Sequence, residues 1–143
     1  MRYLYYILIS IILFSCKKED VISDIPQIEF VSITPATAQE YIDEINIIIS
    51  YSDANGDLGE NNPDVFNLFV KDNRNNIEYK FRIPELTPTG SDIAIEGNFN
   101  ITINGTGITN SSSSESVTYD IYVKDRASHK SNIITSIPIT IIK

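Results

Sequence analysis

Apolar and polar residues alternate with a period of two along several separate stretches of this chain. Two of the clearest stretches run from Ile45 to Tyr51 and from Val117 to Val123, and every second residue in each is apolar. Successive side chains of a β-strand point to opposite faces of the sheet, whereas a helix repeats about every 3.6 residues. The alternation therefore predicts strands with one buried face and no amphipathic helix in these stretches.

Further runs of the same kind, separated by turns rich in Asn, Gly and Pro, predict about seven strands in all. The predicted strands cover residues 27–33, 45–52, 65–72, 77–83, 93–104, 117–123 and 137–141. A change of phase in the first run predicts a β-bulge or a switch of sheet near Val31, and Pro138 predicts an edge position for the last run. The predicted fold class is all-β, a seven-stranded antiparallel β-sandwich.

The first residues form a different kind of segment. Arg2 is followed by an unbroken apolar run from Tyr3 to Phe14. This run is shorter than the roughly 20 residues that a membrane-spanning helix needs, so it is typical of the core of a signal peptide. We therefore predict a signal peptide over residues 1–15, a short tether over residues 16–26 and one domain over residues 27–143.

The end of the apolar run carries a resemblance to bacterial lipoproteins. Leu13-Phe14-Ser15-Cys16 resembles a lipobox, which implies that Cys16 is acylated and becomes the first residue of the mature chain. The alternative is an ordinary secretory signal with an incidental cysteine. The charged run from Lys17 to Asp20 resembles the signal that exports lipoproteins of Bacteroidota to the outer face of the outer membrane. That resemblance implies a lipid-anchored protein at the cell surface, with the periplasmic face of the outer membrane as the alternative.

The charge balance limits the classes of partner. Loss of residues 1–15 would remove Arg2 and change the net charge from −8 to −9. An acidic surface argues against nucleic acid as a partner and suits cations or basic proteins.

Because Cys16 is the one cysteine, no disulfide can form within the chain. The domain must therefore be held by its core or by a metal ion.

The stretch from Asp53 to Asp64 concentrates oxygen ligands between two predicted strands. Asp53, Asn55 and Asp57 alternate as in an EF-hand calcium loop, Gly59 falls at the position of the backbone-carbonyl ligand, and Asp64 falls at the twelfth position. Leu58 replaces the usual glycine and the preceding segment is a strand, which excludes an EF-hand. We predict a calcium loop on a β scaffold. The alternative is an ordinary turn, because Asp, Asn and Gly also favour turns.

A second resemblance lies near the end of the chain. Residues 117–132, V-T-Y-D-I-Y-V-K-D-R-A-S-H-K-S-N, resemble the penultimate strand and following loop of bacterial immunoglobulin-like and fibronectin type III-like domains. Tyr119, Asp125 and Ala127 match the family pattern, whereas Ser128 and His129 replace its usual Gly and Asn. The resemblance implies an immunoglobulin-like sandwich, in which Asp125 lies beside loop 53–64 and completes the metal site.

The sequence contains no arrangement of residues that clearly indicates a catalytic site. His129 lies near Ser128, Ser131 and Asp125, but residues so close along one loop seldom reach the geometry of a catalytic triad. We therefore predict no enzyme, and instead a lipid-anchored binding or assembly module of the cell envelope that calcium stabilises. Its predicted partners are the membrane, through Cys16, and another envelope protein or a glycan. The alternative is a glycan-binding accessory lipoprotein of a nutrient-uptake system, with Tyr122 as an outward-facing aromatic.

Overall fold

The computed structural model describes residues 23–143. The predicted signal peptide, Cys16 and most of the tether lie outside the described residues. The strands, in chain order, are β1 (Gln27–Thr34), β2 (Thr37–Gln39), β3 (Ile45–Asp53), β4 (Leu68–Asp72), β5 (Glu78–Phe81), β6 (Ile95–Ile103), β7 (Ser114–Val117), β8 (Tyr119–Val123), β9 (Ile134–Thr135) and β10 (Ile139–Ile142). The fold of this part of the chain is therefore all-β, and it contains no helix long and apolar enough to cross a membrane.

The strands form three sheets, with the orders β1-β3-β6, β2-β10-β7 and β5-β4-β8-β9. All neighbours are antiparallel except β2 and β10. Thr118 separates β7 from β8, since Val117 pairs with Ile139 while Tyr119 pairs with Asp72. The alternation predicted one run here because the apolar phase continues across Thr118 although the hydrogen-bonding partner changes.

The first strand contains the predicted bulge. Its register with β3 shifts between Phe30 and Ser32, which leaves Val31 without a partner and half exposed. The phase change in the sequence has this physical cause, because one extra residue reverses the face to which the following side chains point. The prediction of a bulge near Val31 is confirmed.

The inner faces of the sheets meet in one apolar core. The alternating apolar residues of β3 and of β7–β8 are almost fully buried: Ile45, Ile47, Ile49, Val117, Tyr119, Ile121 and Val123. Each fully buried side chain of this size contributes about 1.5–3 kcal/mol through removal of apolar surface from water. Burial also raises the pKa of Tyr119 to about 12, and its hydroxyl lies 3.4 Å from the hydroxyl of Thr106.

Two predictions about strand ends were wrong. The strand predicted over residues 65–72 would place Phe66 on the same core face as Leu68 and Val70, but Phe66 is exposed and β4 begins at Leu68. The side chain of Asn67, directly before β4, bonds to both the N–H and the carbonyl of Ile83, in addition to the backbone bonds that Asn67 makes with Phe81 and Lys124. Pro138 was expected on an edge strand. It precedes β10 instead, so its missing N–H disturbs no pairing, and β10 lies between β2 and β7.

Candidate metal centre at the acidic loop

Asp53 is the last residue of β3 and is 0 % exposed. It continues the buried phase of that strand, which carries its carboxylate into the interior at the end of the core. Its Oδ2 atom accepts a hydrogen bond from the N–H of Leu58 at 2.9 Å. Its Oδ1 atom is buried and has no hydrogen-bond partner in the described part of the chain. Buried polar atoms are almost always paired, so this oxygen calls for an explanation.

Two glycines allow the loop to fold back over Asp53. Gly56 has a φ of 68°, and a Cβ there would overlap the carbonyl oxygen of Ile93. Gly59 has a φ of 95°, and a Cβ there would overlap the carbonyl oxygen of Pro84. Glycine accepts both the positive φ and the close approach. The structure therefore gives Gly59 a packing role against the loop that follows β5.

Asp57 and Asp125 lie close to Asp53. Leu58 and Asp125 form an isolated antiparallel bridge, and the N–H of Arg126 donates to the carbonyl oxygen of Asp57 at 3.2 Å. These contacts confirm the prediction that Asp125 lies beside loop 53–64. They also bring Asp125 near the end of β3 and loop 53–64, which are far from it in sequence, although the three carboxylates do not form a ready metal site within residues 23–143.

The neighbouring carboxylates affect the ionisation of Asp53 and of Asp57. Desolvation by burial raises the pKa of Asp53, and the negative charges of Asp57 and Asp125 raise it further. Burial likewise raises the pKa of Asp57, followed by the charge of Asp125. The Oδ1 atom of Asp57 is also buried without a partner among residues 23–143. Ionising this cluster therefore costs free energy unless a cation or a proton compensates it.

Asp125 is held in place by His129. Its Oδ1 accepts a hydrogen bond from the His129 N–H at 2.7 Å, and its Oδ2 lies 3.0 Å from Nδ1 of the ring. Ser128 has a φ of 69°, so the loop keeps the turn for which the resembling family uses glycine.

The hydroxyl of Ser131 accepts from Val123 N–H and donates to the Asn132 carbonyl. Asp125 and His129 therefore do not orient the Ser131 hydroxyl as a nucleophile, because that hydroxyl bonds to the backbone of Val123 and Asn132 instead.

Arg126 fixes the geometry of the loop and was not identified from the sequence. Its guanidinium donates to the carbonyl oxygens of Gly56 and Thr87, both at 3.2 Å, and to the carboxylate of Glu85 at 2.9 Å. Its positive charge lowers the pKa of Asp57 but does not outweigh burial. No ion pair joins Arg126 to Asp53, Asp57 or Asp125 within the described residues. A basic residue directly after Asp125 was the one available sequence signal.

The remaining predicted ligands differ in position. Asn55 accepts a hydrogen bond from the N–H of Asp57 at 3.3 Å, which tightens the loop. Asp64 is exposed, and its N–H bonds to the side chain of Asn62 rather than to the carboxylate cluster. An open cleft of about 540 Å³ adjoins Asn55 and Asp57. No group of three or more His, Cys, Asp or Glu side chains within residues 23–143 stands ready to hold a metal ion.

The site lies at the end of the domain where the described chain begins. The carbonyl oxygen of Ser23 accepts a hydrogen bond from the N–H of Ala54 at 3.3 Å, and Gln27 pairs with Ser52. The loop is thus next to the segment that leads back toward Cys16.

The outward aromatic residue Tyr122 is covered on both faces of its ring. Phe69 stacks on one face with ring centroids 4.7 Å apart, and the ammonium of Lys130 lies 3.8 Å from the ring centroid. Lys124 lies over the Phe69 ring at 5.5 Å. A sugar stacks on a free ring face, so this arrangement does not favour the glycan-binding alternative.

Comparisons of the chain with protein-family models, with curated proteins and with solved structures gave no match.

Proposed function

We propose that this chain is a lipid-anchored, non-enzymatic binding or assembly module of the bacterial cell envelope, whose domain over residues 27–143 is an immunoglobulin-like sandwich stabilised by calcium. The anchor is Cys16, at the end of the apolar run. The bond between Ser23 and Ala54 supports a short connection between the anchor and the domain. The calcium ion stiffens the base of the domain, while the rest of its surface meets the partner.

The strand pairing supports the immunoglobulin-like part of the proposal. Three pairs of strands follow each other along the chain with short breaks: β1 with β2, β7 with β8, and β9 with β10. If each pair counts as one broken strand, seven remain, as in immunoglobulin-like domains. One layer is then β1-β3-β6, and the other contains β5, β4, β8 and β9 with the small sheet beside it.

The observation that carries the calcium proposal is the unpartnered Oδ1 atom of Asp53, which is 0 % exposed. Calcium accepts six to eight oxygen ligands and favours carboxylates, so Asp53, Asp57 and Asp125 are suitable donors. The three carboxylates do not form a ready metal site among residues 23–143, so they would have to move closer to share one ion, and water would complete its shell. The ion would then join the end of β3 to the loop between β8 and β9.

Thermal unfolding with calcium and with chelator tests this proposal. At millimolar calcium we expect stabilisation of about 1 kcal/mol, which shifts the melting temperature by several degrees. Asp57→Ala should remove this response. Asp64→Ala is the matched control, since Asp64 belongs to the same loop but is exposed, and it should keep the response. Equal melting temperatures of the wild-type chain in calcium and in chelator would contradict the proposal.

Metabolic labelling with a fatty acid tests the anchor separately. The wild-type chain expressed in a bacterium should incorporate the label and fractionate with the outer membrane. Cys16→Ser should abolish labelling and release the chain from the membrane. A wild-type chain that is secreted without label would support the ordinary secretory signal instead.

A further inference from the structure

The free edge of β6 is a feature that the proposed function does not use. β6 covers the nine residues Ile95–Ile103 and lies at one edge of its sheet, paired with β3 on its other side. Within residues 23–143, no hydrogen bond joins its backbone to any group outside that pairing. An open strand edge presents unpaired N–H and carbonyl groups that can pair with another strand.

The other edge of the same sheet is protected. The side chain of Asn132 accepts from the N–H of Ile28 at 2.9 Å and donates to its carbonyl at 2.8 Å, so it occupies the outer edge of β1. The bulge at Val31 also interrupts that edge. Strand edges are commonly protected by bulges, lysine or proline, but β6 is regularly paired and contains neither residue type. The contrast marks β6 as the open edge of this sheet.

We propose that two copies of this chain pair through β6 as an antiparallel, twofold-symmetric dimer centred on Phe99. Such an interface must be self-complementary, because each copy presents the same strand. Of the four residue pairs placed symmetrically about Phe99, two are identical, Ile95 with Ile103 and Asn98 with Asn100, and two differ. The register centred there pairs all nine residues of each strand, and Ile95 lies opposite Ile103 of the second copy.

The charges in this register are compatible. Glu96 is the one charged residue of β6, and it lies opposite Thr102 of the second copy rather than opposite another Glu96. Asn98 lies opposite Asn100 of the second copy, and both are exposed on the outer face. Like charges directly opposite each other would destabilise the pair, and none occur.

The inner face of β6 also offers apolar surface at the centre of the pair. Phe99 is only half-buried and stacks on Tyr51, with ring centroids 4.2 Å apart and planes at 12°. Beside it, a groove of about 150 Å³ is lined in part by Phe81, Ile83 and Ile101. In the dimer, Phe99 faces Phe99 of the second copy, and aromatic pairs are among the favourable cross-strand contacts. One continuous sheet of six strands, β1-β3-β6 from each copy, results.

Sedimentation of the purified full-length chain in mild detergent, over concentrations up to millimolar, tests the dimer and its register. The double variant Asn98→Lys/Asn100→Lys places like charges opposite each other at two symmetric positions, and we expect dimerisation to weaken about tenfold. The matched variant Asn98→Lys/Asn100→Glu places opposite charges there and should restore or exceed wild-type association. Circular dichroism of each variant checks that the domain is folded.

The outcomes separate the dimer from the calcium site, because the test does not depend on calcium. Concentration-dependent dimerisation that the first variant weakens and the second restores supports the register centred on Phe99. A monomeric wild-type chain at every concentration overturns the proposal. Equal association of the two folded double variants overturns it as well, since another surface would then be the interface. If either variant fails to fold, the same comparison is made with Thr102→Glu, which places a second glutamate opposite Glu96, and with Glu96→Lys/Thr102→Glu, which places opposite charges there.

Discussion

Two buried aspartates at opposite ends of the domain differ in how their charge is compensated. Asp72 ends β4, is 0 % exposed and contacts the Arg74 guanidinium through both of its oxygens, with the shortest distance 2.6 Å. Arg74 in turn donates to Glu115 at 3.0 Å. Asp53 ends β3 and is equally buried, but among residues 23–143 no basic side chain forms an ion pair with it. Its charged neighbours include two further carboxylates.

The difference shows two ways of compensating the negative charge of a buried carboxylate. At the Asp72 end the chain itself supplies the cation, from a turn only two residues away. At the Asp53 end Arg126 and His129 are near, but Arg126 bonds to the surrounding loops and His129 to Asp125. A buried charge that lacks a partner is costly, so the Asp53 end requires a cation from solution or a proton. Calcium is the cation that we propose.

The largest effect should follow removal of the built-in cation. Arg74→Met leaves Asp72 buried without its partner, and loss of one member of a buried ion pair costs about 3–5 kcal/mol. Urea unfolding of the wild-type and variant chains measures this loss. Arg82→Met is the control, because Arg82 bonds only to exposed loop carbonyls and should cost less than about 1 kcal/mol. Similar losses in both variants would remove the special role of the pair formed by Asp72 and Arg74.

Neutralising the two aspartates should have opposite effects on the free energy of unfolding in chelator. Asp53→Asn keeps an acceptor for Leu58 N–H and removes a repelled charge, so we expect it to stabilise the chain by about 1 kcal/mol. Asp72→Asn weakens the contact with Arg74 and should destabilise it. If both substitutions destabilise the chain in chelator, the two ends do not differ in the way described.

The effect of Asp53→Asn should depend on pH and be smallest in acid. The pKa of Asp53 is raised in the folded chain above its ordinary value of 3.8. A raised carboxyl pKa means that the folded state holds the proton more tightly, so this group's contribution to stability grows as pH falls through the raised pKa toward 3.8. The advantage of Asp53→Asn in chelator should therefore shrink as pH falls through that window. Urea unfolding at several pH values measures it, and a constant difference would contradict the raised pKa.

The sequence predicted most of the strands of this fold and part of its candidate metal site. Alternation located β3 and β8 because both strands bury one face, and it placed the bulge at Val31. The immunoglobulin-like resemblance correctly placed Asp125 beside loop 53–64. Each of these features depends on a local pattern or on the order of strands, which the sequence carries directly.

The features that were missed depend on contacts between distant residues. Alternation cannot show that a run changes sheet, as at Thr118, because the buried phase is unchanged. The expectation that Asp64 is a ligand came from EF-hand spacing, whereas the loop here bends at Gly56 and Gly59 and leaves Asp64 exposed. The contacts of Arg126 with Gly56 and Glu85, and those of Arg74 with Gly107 and Glu115, join segments more than 30 residues apart, so no local sequence pattern predicts them.

The most direct test of the contrast between the two ends is isothermal titration calorimetry of the full-length chain with calcium at neutral pH. The account predicts one calcium ion per chain, with a dissociation constant of about 10⁻⁴ to 10⁻³ M, the range typical of extracellular calcium-binding modules. Asp53→Asn should remove the binding. Wild-type chain that binds no calcium at millimolar concentration, or Asp53→Asn chain that binds it equally well, would contradict the claim that this ion completes the buried carboxylate cluster.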